Sequence, residues 1–346
     1  MTDRLLTIIT PFYNSMEFLE IPMNSVLKQT YQNWEYICVD DCSTDGTLEK
    51  LRQYAAKDPR IKVIAHEKNS GSAAGGFNTG ILAAEGTHIQ LLGHDDELSP
   101  DLLENIAKRI DETNADVIIP DARIVSKGIS ENIDTFDLIG IMPVSKGIDK
   151  FKTNDRNVIL SGRKAFALSI NWRIHGWSCF SANLIKKCGK INEDVMNGDE
   201  LWTRTLFLNA DKIAFCAGKY VYLRRKESIT NKINAKSFDV FRVQQKLLEL
   251  LKAHKFGKNE FKTWKKDTLF KIQCHSYRYI FNKQMLTPDE QKIVENTLRQ
   301  AWKTAFRECW HDIRFYLTWL KIKNNANRYK KYICLKNKLE KKGMLS

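Results

Sequence analysis

Apolar runs and amphipathic stretches alternate through the first 120 residues. Runs at 5–10, 34–39, 61–65 and 87–92 each stop abruptly in polar, turn-forming residues, which predicts buried strands. The segments between them, about 15–29, 46–57 and 73–85, predict helices. Asn14 or Ser15 is placed to cap the first helix, with Pro22 forcing a bend or a restart. Thr44 or Asp45 caps the second. Spacings this short predict right-handed βαβ units and a mostly parallel sheet. Further on, Ser99-Pro100-Asp101 opens a helix to about 112, and Asp116–Pro120 reads as another strand. Residues 126–160 are rich in Gly and Lys with weak periodicity and predict a long loop beside the site. Residues 172–185 and 191–222 are mixed. From about 236 the pattern is helical, with Phe241, Gln244, Leu247, Leu248 and Leu251 on one face, and Thr287-Pro288 marks a helix start. The pattern thus predicts an α/β domain over 1–230 and a helical region over 231–346.

Charge sharpens that division. The chain carries a formal +14, yet residues 231–346 hold 27 Lys and Arg against 10 Asp and Glu, while residues 1–230 hold 28 against 31. A near-neutral body with a basic C-terminal region suits an anionic membrane surface or a polyanion. Trp302, Phe306, Trp310, Phe315, Tyr316 and Trp319 lie among those basic residues, and they are expected to pack inward under a basic face. No nucleic-acid motif is present, so no nucleic-acid partner is expected. No run of about 18 apolar residues occurs, and the first residues lack the features of an export signal. None of the eight cysteines forms a Cys-x-x-Cys pair. A zinc or redox motif is therefore not expected, and the thiols should be reduced in a cytoplasm.

Chemistry concentrates at the strand ends, where open α/β sheets bind ligands. The first elbow, Thr10-Pro11-Phe12-Tyr13-Asn14, offers a hydroxyl, a ring and an amide. The second, Asp40-Asp41-Cys42-Ser43-Thr44-Asp45-Gly46-Thr47, offers carboxylates beside a helix start. A carboxylate there can accept from a base N–H, and a ring can stack on that base. The stretch from Asn69 to Gly80 is rich in small residues, which lets a backbone approach a ligand or pack closely in the fold. The third elbow, Gly93-His94-Asp95-Asp96, ends an apolar strand in acids, a hard-cation site of the kind Mg²⁺ and Mn²⁺ favour. His94 and His175 are expected to be solvated or hydrogen-bonded rather than ligands.

These segments, in this order, resemble the family-2 inverting glycosyltransferases of GT-A fold. The likeness covers residues 5–120 and continues more weakly to about 230, where Gly198-Asp199-Glu200 resembles the acidic catalytic segment and Tyr222–Thr230 the closing loop. The resemblance implies an enzyme that moves a sugar from a nucleotide-sugar, a UDP-sugar by preference, to a glycan or lipid-linked glycan in bacterial surface polysaccharide synthesis. It implies that Thr10, Pro11 and Tyr13 lie against the base, that Asp41 accepts from it, and that Gly71, Asn78 and Asp95 belong to the nucleotide site. Asp95 would hold Mn²⁺ or Mg²⁺ on the diphosphate. Asp199, or else Glu200, would be the general base, and Arg225 would bind phosphate. Trp177 stands either as an acceptor-stacking ring or as a core residue. The chain departs from the family pattern at Gly93, Phe77, Asp199-Glu200 and Arg225, which motivates an alternative: a nucleotide-sugar-binding protein without turnover. The expected location is the cytoplasm, at the inner face of the membrane.

Overall fold

The apolar runs of the first hundred residues become neighbouring strands of one sheet in the computed structural model of the chain. The structure describes residues 4–126, 136–137, 156–196, 198–224 and 233–309. The chain divides into two compact units, Met1–Ser228 and Ile229–Ser346.

In the first unit, β1 (Leu6–Phe12) pairs in parallel with β2 (Trp34–Asp40) on one side and with β4 (His88–Leu91) on the other, and β3 (Ile61–Ala65) continues the parallel set beyond β2. All residues of β1 and β2 are buried, as expected of strands covered on both faces. Beyond β4 the sheet changes character. Strand β9 (Cys179–Ser181) runs antiparallel to both β4 and β6 (Val117–Ser126). The long β10 (Ile213–Arg224) then pairs in parallel with β6 and antiparallel with β5 (Glu97–Leu98). The spatial order is β3-β2-β1-β4-β9-β6-β10-β5. The fold is therefore GT-A-like α/β, with most of its ladder parallel.

Alternation along β1 splits the core between the two faces of the sheet. Leu6, Ile8 and Phe12 join a cluster with Met23 and Val26 of α1 (Glu20–Leu27) and with Leu102, Leu103 and Ile106 of α4 (Leu102–Thr113). Ile9 joins the opposite cluster, with Ile37, Val39 and Phe180. The small residues of α3 (Ala73–Ala83) have a packing reason. A Cβ on Gly76 would stand 2.5 Å from Pro11 Cβ, and one on Gly80 would stand 2.3 Å from Ile9 Cγ2. That close approach of α3 to β1 needs glycine at both sites.

Several boundaries differ from the sequence expectation for local reasons. The first helix starts at Glu20, not 15, because Ser15 O accepts from Phe18 N and Leu19 N in a preceding turn. Pro22 then falls in the first helical turn, where its missing N–H costs little. Asp45 starts α2 (Thr47–Ala55) by accepting from Thr47 N at 3.1 Å and Thr47 Oγ1 at 2.6 Å. Most of the 126–160 stretch lies outside the described residues, yet it contributes two short strands. Phe136–Asp137 (β7) pairs with β6, and Ile159–Leu160 (β8) pairs with β10. The three remaining helices of this unit are α5 (Gly162–Ser169), α6 (Ala182–Cys188) and α7 (Gly198–Asn209).

The second unit is helical: α8 (Val240–Ala253), α9 (Lys258–Asn282) and α10 (Pro288–Cys309). Phe241, Gln244, Leu247, Leu248 and Leu251 are all buried. Gln244 is fully engaged, accepting from Thr268 Oγ1 and donating to Asp267 Oδ2, while its carbonyl accepts from Trp264 Nε1. Thr287 and Glu290 form a capping box, Glu290 N donating to Thr287 Oγ1 and Thr287 N donating to Glu290 Oε2. Trp302 packs on the core and Phe306 is exposed, while Trp310, Phe315, Tyr316 and Trp319 lie outside the described residues. Among the described residues no helix is long and apolar enough to cross a membrane, and no disulfide occurs.

Candidate functional site

The first two elbows are laced together. Asn14 N donates to Ser43 Oγ at 3.0 Å, Thr44 N to Asn14 Oδ1 at 2.8 Å, and Met16 N to Asp45 Oδ2 at 3.0 Å. Within this mouth the residues predicted as one set separate. Thr10 is 0% exposed, and its hydroxyl accepts from Tyr36 OH at 2.9 Å. Pro11 is buried against Gly76. Both support the elbow from behind, and neither side chain reaches its open face. Tyr13 is 52% exposed and is the ring that the elbow presents. The difference follows from strand alternation and from the left-handed Asn14 (φ 46°) that ends the strand.

Asp41 is buried and joins the second elbow to the small-residue loop. Its carboxylate accepts from Ser70 N and Ser70 Oγ, both at 2.9 Å, and lies 2.7 Å from His66 Nδ1. His66 Nε2 is in turn 2.8 Å from Thr79 Oγ1. Gly71 takes a left-handed turn (φ 80°), with its N–H on Asn69 Oδ1. His66 and Ser70 were not singled out in the sequence, since neither stands in a readable spacing with Asp41. Asn78 is spent inside the fold. Its amide donates to Ile191 O and Glu193 Oε1 and accepts from Ile191 N, so the side chain clamps α3 to the segment before α7 instead of facing the elbows.

At the third elbow the two acids part. Asp96 is 4% exposed, accepting from Tyr220 OH at 2.6 Å and Leu223 N at 3.0 Å. It therefore ties the elbow to β10. Burial and the Asp96 charge hold the Tyr220 hydroxyl well above its usual range. Asp95 stays part-exposed. Gly93 has a steric reason: a Cβ there would stand 2.5 Å from Asp96 Oδ2. Tyr220 continues into an aromatic group, stacking on Trp177 at 5.3 Å, with Tyr222 stacked on the same indole at 5.1 Å. Trp177 thus packs with protein rings against the core. His175 Nε2 donates to Pro120 O at 2.9 Å, and burial lowers its pKa to about 4, leaving a neutral imidazole.

Helix α7 carries the acids of the catalytic-looking segment, and it separates them. Glu200 Oε2 accepts from Arg204 Nη1 at 3.1 Å, one turn along. Arg204 is fully buried, with Nε donating to Ser169 O and its guanidinium 3.6 Å from the Trp172 ring. Asp199 lies on the next face, one turn from Thr203, whose methyl would meet a Cβ on Gly176 at 3.0 Å. Asp199 is solvent-exposed at the head of the helix. Desolvation, and then the neighbouring Glu200 charge, raise its carboxyl to about 6. Arg225 lies outside the described residues. No group of three or more His, Cys, Asp or Glu able to hold a metal occurs among those described. Asp95 alone offers a part-exposed carboxylate at the elbow, a set that fits a cation sharing its ligands with substrate oxygens.

The sheet thus carries a ring and carboxylates on adjacent strand ends, with an acid-headed helix beyond. Residues 7–173 match the Glycosyl transferase family 2 model, and the chain carries a domain of that family. The chain is 44% identical over 100 residues to the putative teichuronic acid biosynthesis glycosyltransferase TuaG of Bacillus subtilis, covering 29% of this chain and 39% of that one. It is 29% identical over 228 residues to the poly(ribitol-phosphate) beta-N-acetylglucosaminyltransferase TarS of Staphylococcus aureus, covering 64% and 36%. The matched stretches thus span less than two-fifths of these relatives. The crystal structure of S. aureus TarS 1–349 in complex with UDP-GlcNAc superimposes with a TM-score of 0.63 over 95% of this chain and 92% of that one, at 20% identity, which is a likeness of fold.

Proposed function

We propose that this chain is an inverting glycosyltransferase that moves a sugar from a UDP-sugar to a hydroxyl of a surface glycan or its lipid-linked precursor. The observation that carries this reading is the division of labour on α7. Arg204 engages Glu200, while Asp199 stands at the helix head with its carboxyl raised to about 6. A base poised near the working pH can take a proton and remain unprotonated beforehand. Asp199 removes the acceptor hydroxyl proton as that oxygen bonds to the anomeric carbon. The bond from that carbon to the diphosphate oxygen breaks, UDP departs, and a single displacement inverts the centre.

Tyr13 stacks on the base, and Asp41 accepts its N–H. A carboxylate has about four lone-pair sites, so Asp41 retains room beside Ser70 and His66. Gly71 lets the loop backbone approach the nucleotide. Asp95 would hold Mn²⁺ or Mg²⁺, and such a cation would supply positive charge to offset that of the leaving group. Thr10, Pro11 and Asn78 support the site from within, and Arg225 adds positive charge toward the phosphates. Trp177 borders the acceptor side through its aromatic group. The basic residues of 231–346 attract the chain to an anionic inner membrane surface. The roles of TarS and TuaG, and of the UDP-Glc:alpha-D-GlcNAc-diphosphoundecaprenol beta-1,3-glucosyltransferase WfgD of Escherichia coli, 43% identical over 96 residues (28% of this chain, 37% of that one), support the donor and acceptor classes.

A panel of nucleotide-sugars in a thermal-shift screen, with and without Mn²⁺, tests the donor. UDP-sugars should raise the melting temperature and GDP-sugars should not. Gly93 favours a second reading, binding without turnover. Release of UDP by the natural chain, lost in Asp199→Asn, would exclude that second reading.

A further inference from the structure

Helix α5 ends in a manner that its sequence does not explain. Trp172 N donates to Ser169 O at 3.0 Å, and Arg173 N donates to Leu168 O at 2.9 Å. This is the Schellman pattern, in which the residue after the helix cap takes a left-handed backbone and is by preference glycine. Here that residue is Trp172, at φ 55°. A bulky side chain is strained in this region, where glycine would sit without cost. Strain held by its surroundings is a pointer to function.

The surroundings that hold it belong to the acidic segment of α7. The indole lies over the buried Arg204 guanidinium at 3.6 Å. The same guanidinium binds Glu200, the neighbour of Asp199, and Ser169 O at the end of α5. Trp172 is therefore fixed to the head of the helix that carries the proposed base, and it keeps part of its surface in solvent. Trp177, the other ring of this loop, is taken up by Tyr220 and Tyr222. A flat, part-exposed ring stacked on the arginine that binds the neighbour of the proposed base suits the apolar face of a pyranose.

We propose that Trp172 is the stacking platform for the acceptor sugar, held against backbone preference so that the acceptor hydroxyl comes to Asp199. This rests on the transferase reading above, and the experiment separates the two. Trp172→Gly and Trp172→Asn both suit a left-handed backbone and both remove the ring, whereas Trp172→Phe keeps a ring. UDP affinity is measured by calorimetry, and UDP release from UDP-glucose and UDP-N-acetylglucosamine is measured with a panel of p-nitrophenyl glycosides as acceptor surrogates. The expected result is a rise in acceptor KM of about tenfold or more in the Gly and Asn variants. UDP affinity should hold within about twofold in both, and Trp172→Phe should recover most of the loss. Equal loss of UDP affinity and acceptor response would make Trp172 a structural lid over Arg204 and overturn the platform. Unchanged acceptor KM in the Gly variant would overturn it too, as would a natural chain that binds UDP but responds to none of the glycosides. A natural chain that fails to bind UDP would instead defeat the donor reading beneath it.

Discussion

Asp40-Asp41 stands at the end of β2 and Asp95-Asp96 follows β4, two strands that flank β1 in the same sheet. Both acids of the first pair are buried, whereas in the second only Asp96 is. Asp40 accepts from Ser43 N and shapes its own turn, while Asp96 binds Tyr220 and Leu223 across to β10. The partners of the other acid make the difference. Asp41 is surrounded by Ser70 and His66, so its orientation is set before any ligand arrives. Asp95 stands part-exposed beside Gly93, where the family pattern has a second acid. Doubled aspartates at a strand end thus differ in exposure and in partners, and preorganisation depends on what the adjacent loop supplies.

The largest effect is expected on α7, beyond both elbows. Asp199→Asn should lower kcat by roughly 10²–10⁴-fold with UDP affinity retained, as measured by UDP release and calorimetry. If Asp199 is the base, it must be deprotonated to work. Activity of the natural chain should then fall as pH drops through about 6 and level off above it. Glu200→Gln should cost far less, because Arg204 keeps its bond to the Glu200 carbonyl at 3.0 Å.

Stability effects come next. Tyr220→Phe removes a donor from buried Asp96 and should cost about 1–3 kcal/mol in denaturant unfolding. Gly93→Asp, which restores the family acid, should also destabilise the fold, because its Cβ would press on Asp96. It should leave Mn²⁺ affinity in the presence of UDP no tighter than in the natural chain. A tightened affinity would show that the elbow relaxes more easily than its packing indicates. The smallest effect is expected at His66→Ala. Loss of one hydrogen bond to Asp41 should weaken UDP binding by about 0.5–1.5 kcal/mol, a several-fold change in Kd.

The strands of the first hundred residues were legible because β1 to β4 are short apolar runs with abrupt polar ends. The helical face of Phe241 to Leu251 and the Thr287-Pro288 start were legible by period and by cap. Long β10 and short β8 were not, because their pairing with β6 and with each other is set by partners distant in sequence. Within the site, Tyr13 and Asp41 could be marked from their place at strand ends. The inward turn of Thr10 and the clamp made by Asn78 could not, since both depend on residues tens of positions away.

The sequence by itself determined a parallel α/β sheet with chemistry at three neighbouring strand ends, because burial on both faces and turn chemistry are local properties. Only the tertiary contacts decide that Asp41 is buried and Asp95 part-exposed, that Arg204 binds Glu200, and that Trp172 stacks on Arg204 while Trp177 stacks on Tyr220 and Tyr222. Those outcomes depend on which side chains meet across the fold, and spacing along the chain does not encode such meetings.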